Sequence, residues 1–185
     1  MPVGFEAYTG DGLVRGTVAT DDRLEDLLER VASFGVDDVR LVLVDGSDLT
    51  TTRVTVATDD LVAVAAADTT PVAVHAVWHD LTLEAGPYLI EGLLPTVPGF
   101  DPERALARPS GNFVLVGSAR IALAADPRAG DAEYRLLWVN RYAVDRVAAD
   151  LELSLYFPGA RTVVSSRSGR AEGAVPPRIT ADAGA

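Results

Sequence analysis

The sequence predicts a mainly β protein built from two small, pseudo-symmetric barrel or roll modules in tandem. Each is expected to run strand–strand–helix–strand–strand. Three observations carry this. Short β-type runs separated by Gly, Asp and Pro turn signals recur along most of the 185 residues. Helical signals occur in two places, one per half. Residues 7–66 and 82–149 also pass the same landmarks in the same order. Gly16 matches Gly92, Phe34 matches Phe113, Arg40 matches Arg120 and Val56 matches Val139, at separations of 76, 79, 80 and 83. A separation that grows by small insertions is the mark of an internal repeat. It sets residues 1–70 as the first module, 71–157 as the second and 158–185 as a flexible tail.

In the first module, Val3–Tyr8 and Leu13–Ala19 are short strands split by the turn signal Thr9-Gly10-Asp11-Gly12. Leu24, Leu27, Leu28 and Val31 then fall on one stripe, predicting a helix over Arg23–Ser33. Asp22 stands at its N-cap, Glu25 in the capping-box position and Gly35 at its C-terminal stop. Val39–Val44 is an apolar strand ended by Asp45-Gly46. Arg53–Ala57 alternates as a half-buried strand should, and Leu61–Ala66 follows a tight turn at Asp59-Asp60.

The second module opens with Val72–Leu83, read as one long strand, then Tyr88–Leu94 after Gly86-Pro87. Asp101 and Pro102 begin a two-turn helix that Pro109 ends. Phe113–Val116, Ala119–Ala124, Tyr134–Val139 and Ala143–Ala148 complete the strands. A module of this size buries too little surface alone, so the two are expected to share a core.

Composition narrows the function. The net charge is −11, with all sixteen basic residues arginine. It divides as −9 over residues 1–70, −4 over 71–157 and +2 over 158–185. Such a surface repels phosphate backbones and anionic membranes, so neither nucleic acid nor membrane is expected as a partner. Without lysine, Schiff-base and phosphate-loop lysine chemistry is excluded; without cysteine, so are disulfides, thiol nucleophiles and Cys-based metal sites. The opening MPVGFEAYTG does not read as a signal peptide, and no apolar run approaches the roughly 18–20 residues of a membrane span. A cytoplasmic location is expected.

No catalytic, cofactor or metal site emerges. His75 and His79 are the only histidines; on a strand they would sit about 13 Å apart at roughly 3.3 Å per residue, too far for one metal. His79-Asp80 lacks a Gly-x-Ser-x-Gly elbow to complete a nucleophilic triad. Gly117-Ser118-Ala119 and Gly46-Ser47-Asp48 read as turns. The pairs Asp21-Asp22, Asp37-Asp38 and Asp59-Asp60 offer oxygen ligands for Mg²⁺ or Ca²⁺ but fit helix caps and turns, without the spacing of a calcium loop. Trp78, Tyr88 and Trp138 read as core packing, with an interaction surface as the alternative, because Trp and Tyr are enriched at binding hot spots.

Gly16 and Arg23-Leu24-Glu25-Asp26-Leu27-Leu28 resemble a small bacterial β-barrel domain of unknown function. In that domain a strand ends in Gly-x-apolar, an Arg-Leu-x-Asp-Leu-Leu helix follows, then a Phe-apolar strand. Tyr88-Leu89-Ile90-Glu91-Gly92, Phe113-Val114-Leu115-Val116 and Leu137-Trp138-Val139-Asn140-Arg141 are similar to the same pattern. Glu103-Arg104-Ala105-Leu106 departs from it at the helix. The strand order resembles Sm-like barrels over residues 3–157. That resemblance implies oligomeric rings and RNA binding. The Gly-x-Asn base-pocket motif is missing, Asn140 being its nearest approximation and Ala57 its match in the first module. The expectation is therefore a non-enzymatic interaction or assembly module that meets a protein partner or itself and uses no cofactor. An Sm-like RNA-binding protein and a divalent-cation enzyme using acidic residues are the alternatives.

Overall fold

The computed structural model describes residues 1–67, 70, 72–73, 75–101, 109, 111–126 and 131–164. The elements are β1 (Pro2–Thr9), β2 (Gly12–Ala19), α1 (Leu24–Arg30), β3 (Ser33–Leu43), β4 (Asp48–Ala57), a 3-10 turn (Thr58–Asp60) and β5 (Leu61–Ala65). Then come β6 (Val77–Ala85), β7 (Tyr88–Thr96), β8 (Phe113–Leu123), β9 (Ala132–Asn140), β10 (Val144–Ala149) and β11 (Arg161–Val164). The expected mainly β class is observed.

All eleven strands belong to one sheet, in the order β11-β10-β6-β7-β8-β9-β5-β1-β2-β3-β4. The order is open, with β11 and β4 at its two ends, so the expected barrel closure does not occur. Every neighbouring pair is antiparallel except β10–β11, which is parallel.

The core falls into two clusters. One gathers Phe5, Ala7, Val14, Val18, Leu24, Leu28, Val36, Val39, Leu61 and Val64. The other gathers Leu81, Leu83, Ile90, Val116, Ile121, Leu137, Val147 and Phe157. Central strands feed both. On β5, Leu61 and Val64 belong to the first and Val62 and Ala63 to the second. Strands buried on both faces read as unbroken apolar runs, as Leu-Val-Ala-Val-Ala does.

Several elements differ from expectation for local reasons. Helix α1 starts at Leu24 with Arg23 as N-cap, and no side chain caps it. Asp22 is held in a turn by the Thr20 hydroxyl, 3.0 Å from its backbone N–H, and its carboxylate pairs with Arg30. The helix stops at Arg30, and Gly35 lies inside β3. Val72 and Ala73 lie outside any strand and His75 is in a turn, so the long run from Val72 reduces to β6. Phe113–Val116 and Ala119–Ala124 merge into β8, because Gly117-Ser118 is a bulge and not a turn. Arg161–Val164, assigned to the tail, form β11. The helix expected over 102–108 and the tail from 165 lie outside the described residues.

Candidate functional site

The feature that organises the molecule is the meeting of β5 with β9, the one place among the described residues where a strand from residues 1–70 pairs with a strand from 71–157. Ala63 pairs with Val139, Val64 with Trp138 and Ala65 with Leu137. The Ala66 N–H extends the ladder to the Leu136 carbonyl at 3.2 Å. Burial of both faces of β5 makes each lost backbone hydrogen bond costly here, which fixes the register.

Two sets of side chains brace the junction. At one end, Asn140 is 5% exposed; its amide donates to the Leu61 carbonyl at 2.9 Å and its oxygen accepts from Tyr142 N–H at 3.0 Å. Beside it the Arg141 guanidinium, equally buried, donates to the carbonyls of Pro109 at 2.7 Å and Leu155 at 2.8 Å. From α1, the Glu29 carboxylate accepts from the N–H groups of Asn112 at 2.8 Å and Phe113 at 3.2 Å.

Around β1, which pairs with β5, three tyrosines converge. The Tyr134 hydroxyl donates to Glu6, and the Tyr8 and Tyr134 hydroxyls lie 2.7 Å apart. Tyr88 donates to the Thr9 carbonyl at 3.0 Å. Tyr8 meets Tyr88 edge-on at 5.2 Å and Tyr134 at 6.1 Å between ring centroids, the favoured aromatic geometry. Burial pushes the Tyr134 hydroxyl well above the ordinary tyrosine range, and its bonds to Glu6 and Tyr8 push it further. Burial raises Tyr88 and Tyr8 too. Burial also pushes the Glu6 carboxyl up, but bonds from Arg15 and Tyr134 and the Arg15 charge outweigh it and hold Glu6 below its usual value. Arg15 grips both Glu6 oxygens, at 2.9 and 3.1 Å.

The two ends of the sheet are unlike each other. Strand β4 has β3 on one side and, among the described residues, no strand on the other, and Asp48 through Arg53 are exposed. At the opposite end, β11 covers the outer edge of β10, pairing Arg146 with Arg161, Val147 with Thr162, Ala148 with Val163 and Ala149 with Val164.

The residues singled out from sequence scatter. Tyr88 is 3% exposed and belongs to the core, so no surface holds it with Trp78 and Trp138. Trp78 packs its ring over Gly117, where a Cβ would lie 2.5 Å from it. Trp138 packs against the first core cluster, and its indole N–H has no partner among the described residues. The strand geometry invoked for His75 does not apply, since only His79 is on β6. His79 Nε2 lies 3.0 Å from the Thr96 hydroxyl, and Nδ1 lies 3.6 Å from Asp150. Thr96 is 5% exposed and donates to the Val77 carbonyl at 3.3 Å; its proton is committed and its oxygen shielded, which suits a structural acceptor.

Asp59 and Asp60 lie in the 3-10 turn, and each of the other two acidic pairs has a member in an ion pair. Asp21 meets the N-terminal amine at 3.2 Å, Asp37 meets Arg53 at 3.5 Å and Asp38 sits in a bulge. No group of three or more His, Asp or Glu among the described residues is placed to hold a metal ion. A hollow of about 340 Å³ lined by Thr58, Asp59, Asn112, Asn140 and Tyr142 opens beside the junction. No helix among the described residues is long and apolar enough to cross a membrane. Glu29 and Tyr134 escaped the sequence reading because their partners are 83 to 128 residues away. Only the polar Asn140 beside an apolar strand offered a signal.

No protein-family model, no curated protein and no solved structure matches this chain.

Proposed function

We propose that the chain is a non-enzymatic assembly module made of two copies of one five-stranded, Sm-like unit joined edge to edge. The strand succession supports a repeat: β5-β1-β2-β3-β4 in the first half answers β10-β6-β7-β8-β9 in the second. Register supports it in detail. The β2–β3 ladder slips between Arg15 and Thr17, and the β7–β8 ladder slips between Glu91 and Leu93. Asp38 and Ser118, the only non-glycine residues of positive φ among those described, sit at these slips with φ of 51° and 46°. Thr58 N–H bonds the Ala32 carbonyl as Arg141 N–H bonds the Asn112 carbonyl, both at 2.9 Å.

The register also corrects one landmark. Phe34 pairs with Val56, and it is Val114 that pairs with Val139. Phe34 therefore matches Val114, one residue beyond Phe113.

The observation that carries the function is the β5–β9 pairing. Two copies of the unit already associate by adding one edge strand to another, and β4 still presents an edge of the same kind. Tyr8, Tyr88, Tyr134, Asn140 and Arg141, by contrast, are engaged in bonds that hold strands and turns together. Sedimentation velocity of the full chain from micromolar to millimolar concentration tests this. A mass rising above the 19.5 kDa of one chain is expected. A single species of that mass throughout would end the reading.

A further inference from the structure

Resting on the reading of a repeated unit, we propose that the outer edge of β4 receives strand β10 of a second copy, and that β11 withholds β10 until it is displaced.

Within one chain, the fifth strand of the first unit, β5, meets the fourth strand of the second, β9. The fourth strand left over is β4, and the fifth strand left over is β10. Matching Val139 to Val56 and Val64 to Val147 carries the β5–β9 register onto this pair. Arg146 of the second copy then faces Val56, Val147 faces Thr55, Ala148 faces Val54 and Ala149 faces Arg53. No like charges oppose one another. These four β10 residues are the ones whose outer edge β11 occupies, so the two pairings exclude each other.

The β4 edge is open to such an addition. Exposed edges are ordinarily blunted by brevity, proline, bulges or unpaired charge. Strand β4 is ten residues long, Asp-Leu-Thr-Thr-Thr-Arg-Val-Thr-Val-Ala, with no proline. Its two charges are drawn sideways: Asp48 meets Arg40 at 2.5 Å and Arg53 meets Asp37 at 3.5 Å. Leu49 stands 52% exposed beside them.

The β11 cap, by contrast, is weak. It has four residues, three of them exposed, and parallel pairing is less stable per residue than antiparallel. It sets Arg161 directly beside Arg146, whose charge Glu84 offsets in part at 2.6 Å, and like charges opposite each other destabilise a sheet. The Thr162 hydroxyl is buried with no partner among the described residues. An antiparallel strand from a second copy removes all three defects. Because each added copy brings its own free β4, growth is head to tail and ends in a ring if the rotation closes.

The test uses the full chain, which has no cysteine of its own. A form carrying Thr162→Pro and Val163→Pro loosens β11 without touching the core. In sedimentation velocity its assembly should begin at a concentration at least tenfold below that of the native chain. Arg161→Glu, placed opposite Arg146, should tighten the cap and move the onset the other way. For register, a Val54→Cys chain mixed with an Ala148→Cys chain under mild oxidation should give a disulfide-linked dimer, and Asp145→Cys in place of Ala148→Cys should not. Oligomers that form without the Val54–Ala148 crosslink, or with equal crosslinking at Asp145, would overturn this interface while leaving the assembly reading in place. Unchanged onset in the proline and glutamate forms would overturn the role of β11. Native and proline forms that both stay monomeric would end the interface and the assembly reading together.

Discussion

The side-chain amide of Asn140, at the end of β9, donates to the backbone carbonyl of Leu61, at the start of β5, across 2.9 Å of buried interior. One side chain thus pins the first residue of one half's last strand to the other half, and its oxygen also shapes the turn into β10 through Tyr142. Removing it leaves the Leu61 carbonyl and the Tyr142 N–H without that partner. Asn140→Ala should cost about 1–3 kcal/mol, the penalty for a buried polar group left unpaired. Urea unfolding reads this as a lower midpoint, and an unchanged midpoint would show that water replaces the amide freely.

Glu29 ties α1 to the start of β8 through two backbone N–H groups. The site is open to solvent, so Glu29→Ala should cost about 1 kcal/mol, and Glu29→Gln, which keeps one acceptor oxygen, less. Amide hydrogen exchange at Asn112 and Phe113 should quicken in the alanine form ahead of exchange elsewhere in β8. Uniform quickening would place the effect in global stability instead.

Gly16 and Gly92 make the same close approach in their two halves. A Cβ on Gly16 would lie 2.7 Å from Val36 Cγ1 and 2.6 Å from the Asp37 carbonyl oxygen; on Gly92 it would lie 2.6 Å from Val116 Cγ1 and 3.0 Å from the Gly117 carbonyl oxygen. Backbone on the far side cannot yield as a flexible side chain would. Gly16→Ala and Gly92→Ala should each destabilise by about 1–3 kcal/mol, the range for overpacking. Thermal melts in which either variant matches the native chain would contradict the geometry.

Tyr134, Tyr88 and Tyr8 all hold their protons more tightly folded than unfolded, chiefly because they are buried. The unfolded chain releases these protons near pH 10, the ordinary value. Their contribution is therefore complete below pH 10 and falls as pH rises above it toward the raised folded values. The denaturation midpoint should decline steeply above pH 10, and less steeply in Tyr134→Phe. Glu6, held low, works in the opposite sense: its contribution is present above about pH 4.5 and is lost as pH falls through the lowered folded value.

Much of the element content was legible locally. β1, β2 and β7 lie within two residues of their expected bounds, because Gly10-Asp11 and Gly86-Pro87 punctuate them. Strand β4 was read only from Arg53, since Asp48–Thr52 carries no apolar alternation; it is a strand because β3 beside it supplies hydrogen bonds. The run at Val72 looked like a strand but has no partner among the described strands. Arg161–Val164 looked like tail because its neighbours are Gly, Ser and Ala, yet the free edge of β10 recruits it. For Tyr88 the sequence leaves core and surface both open, because aromatic identity alone does not say which side of a strand is covered; the fold buries it.

By itself the sequence determined the β character of this chain, its turns, its one described helix and the matching landmarks of its halves. All but the landmarks are written in residues a few positions apart, through apolar period and backbone preference, and the landmarks show by comparing the halves. Tertiary structure alone decided that β5 meets β9, that among the described strands β4 ends the sheet on one side while β11 pairs with β10 on the other, and that the sheet does not close. Strand pairing joins backbone groups common to every residue, so partner choice depends on which apolar faces can be covered together, and that is settled only when distant segments meet.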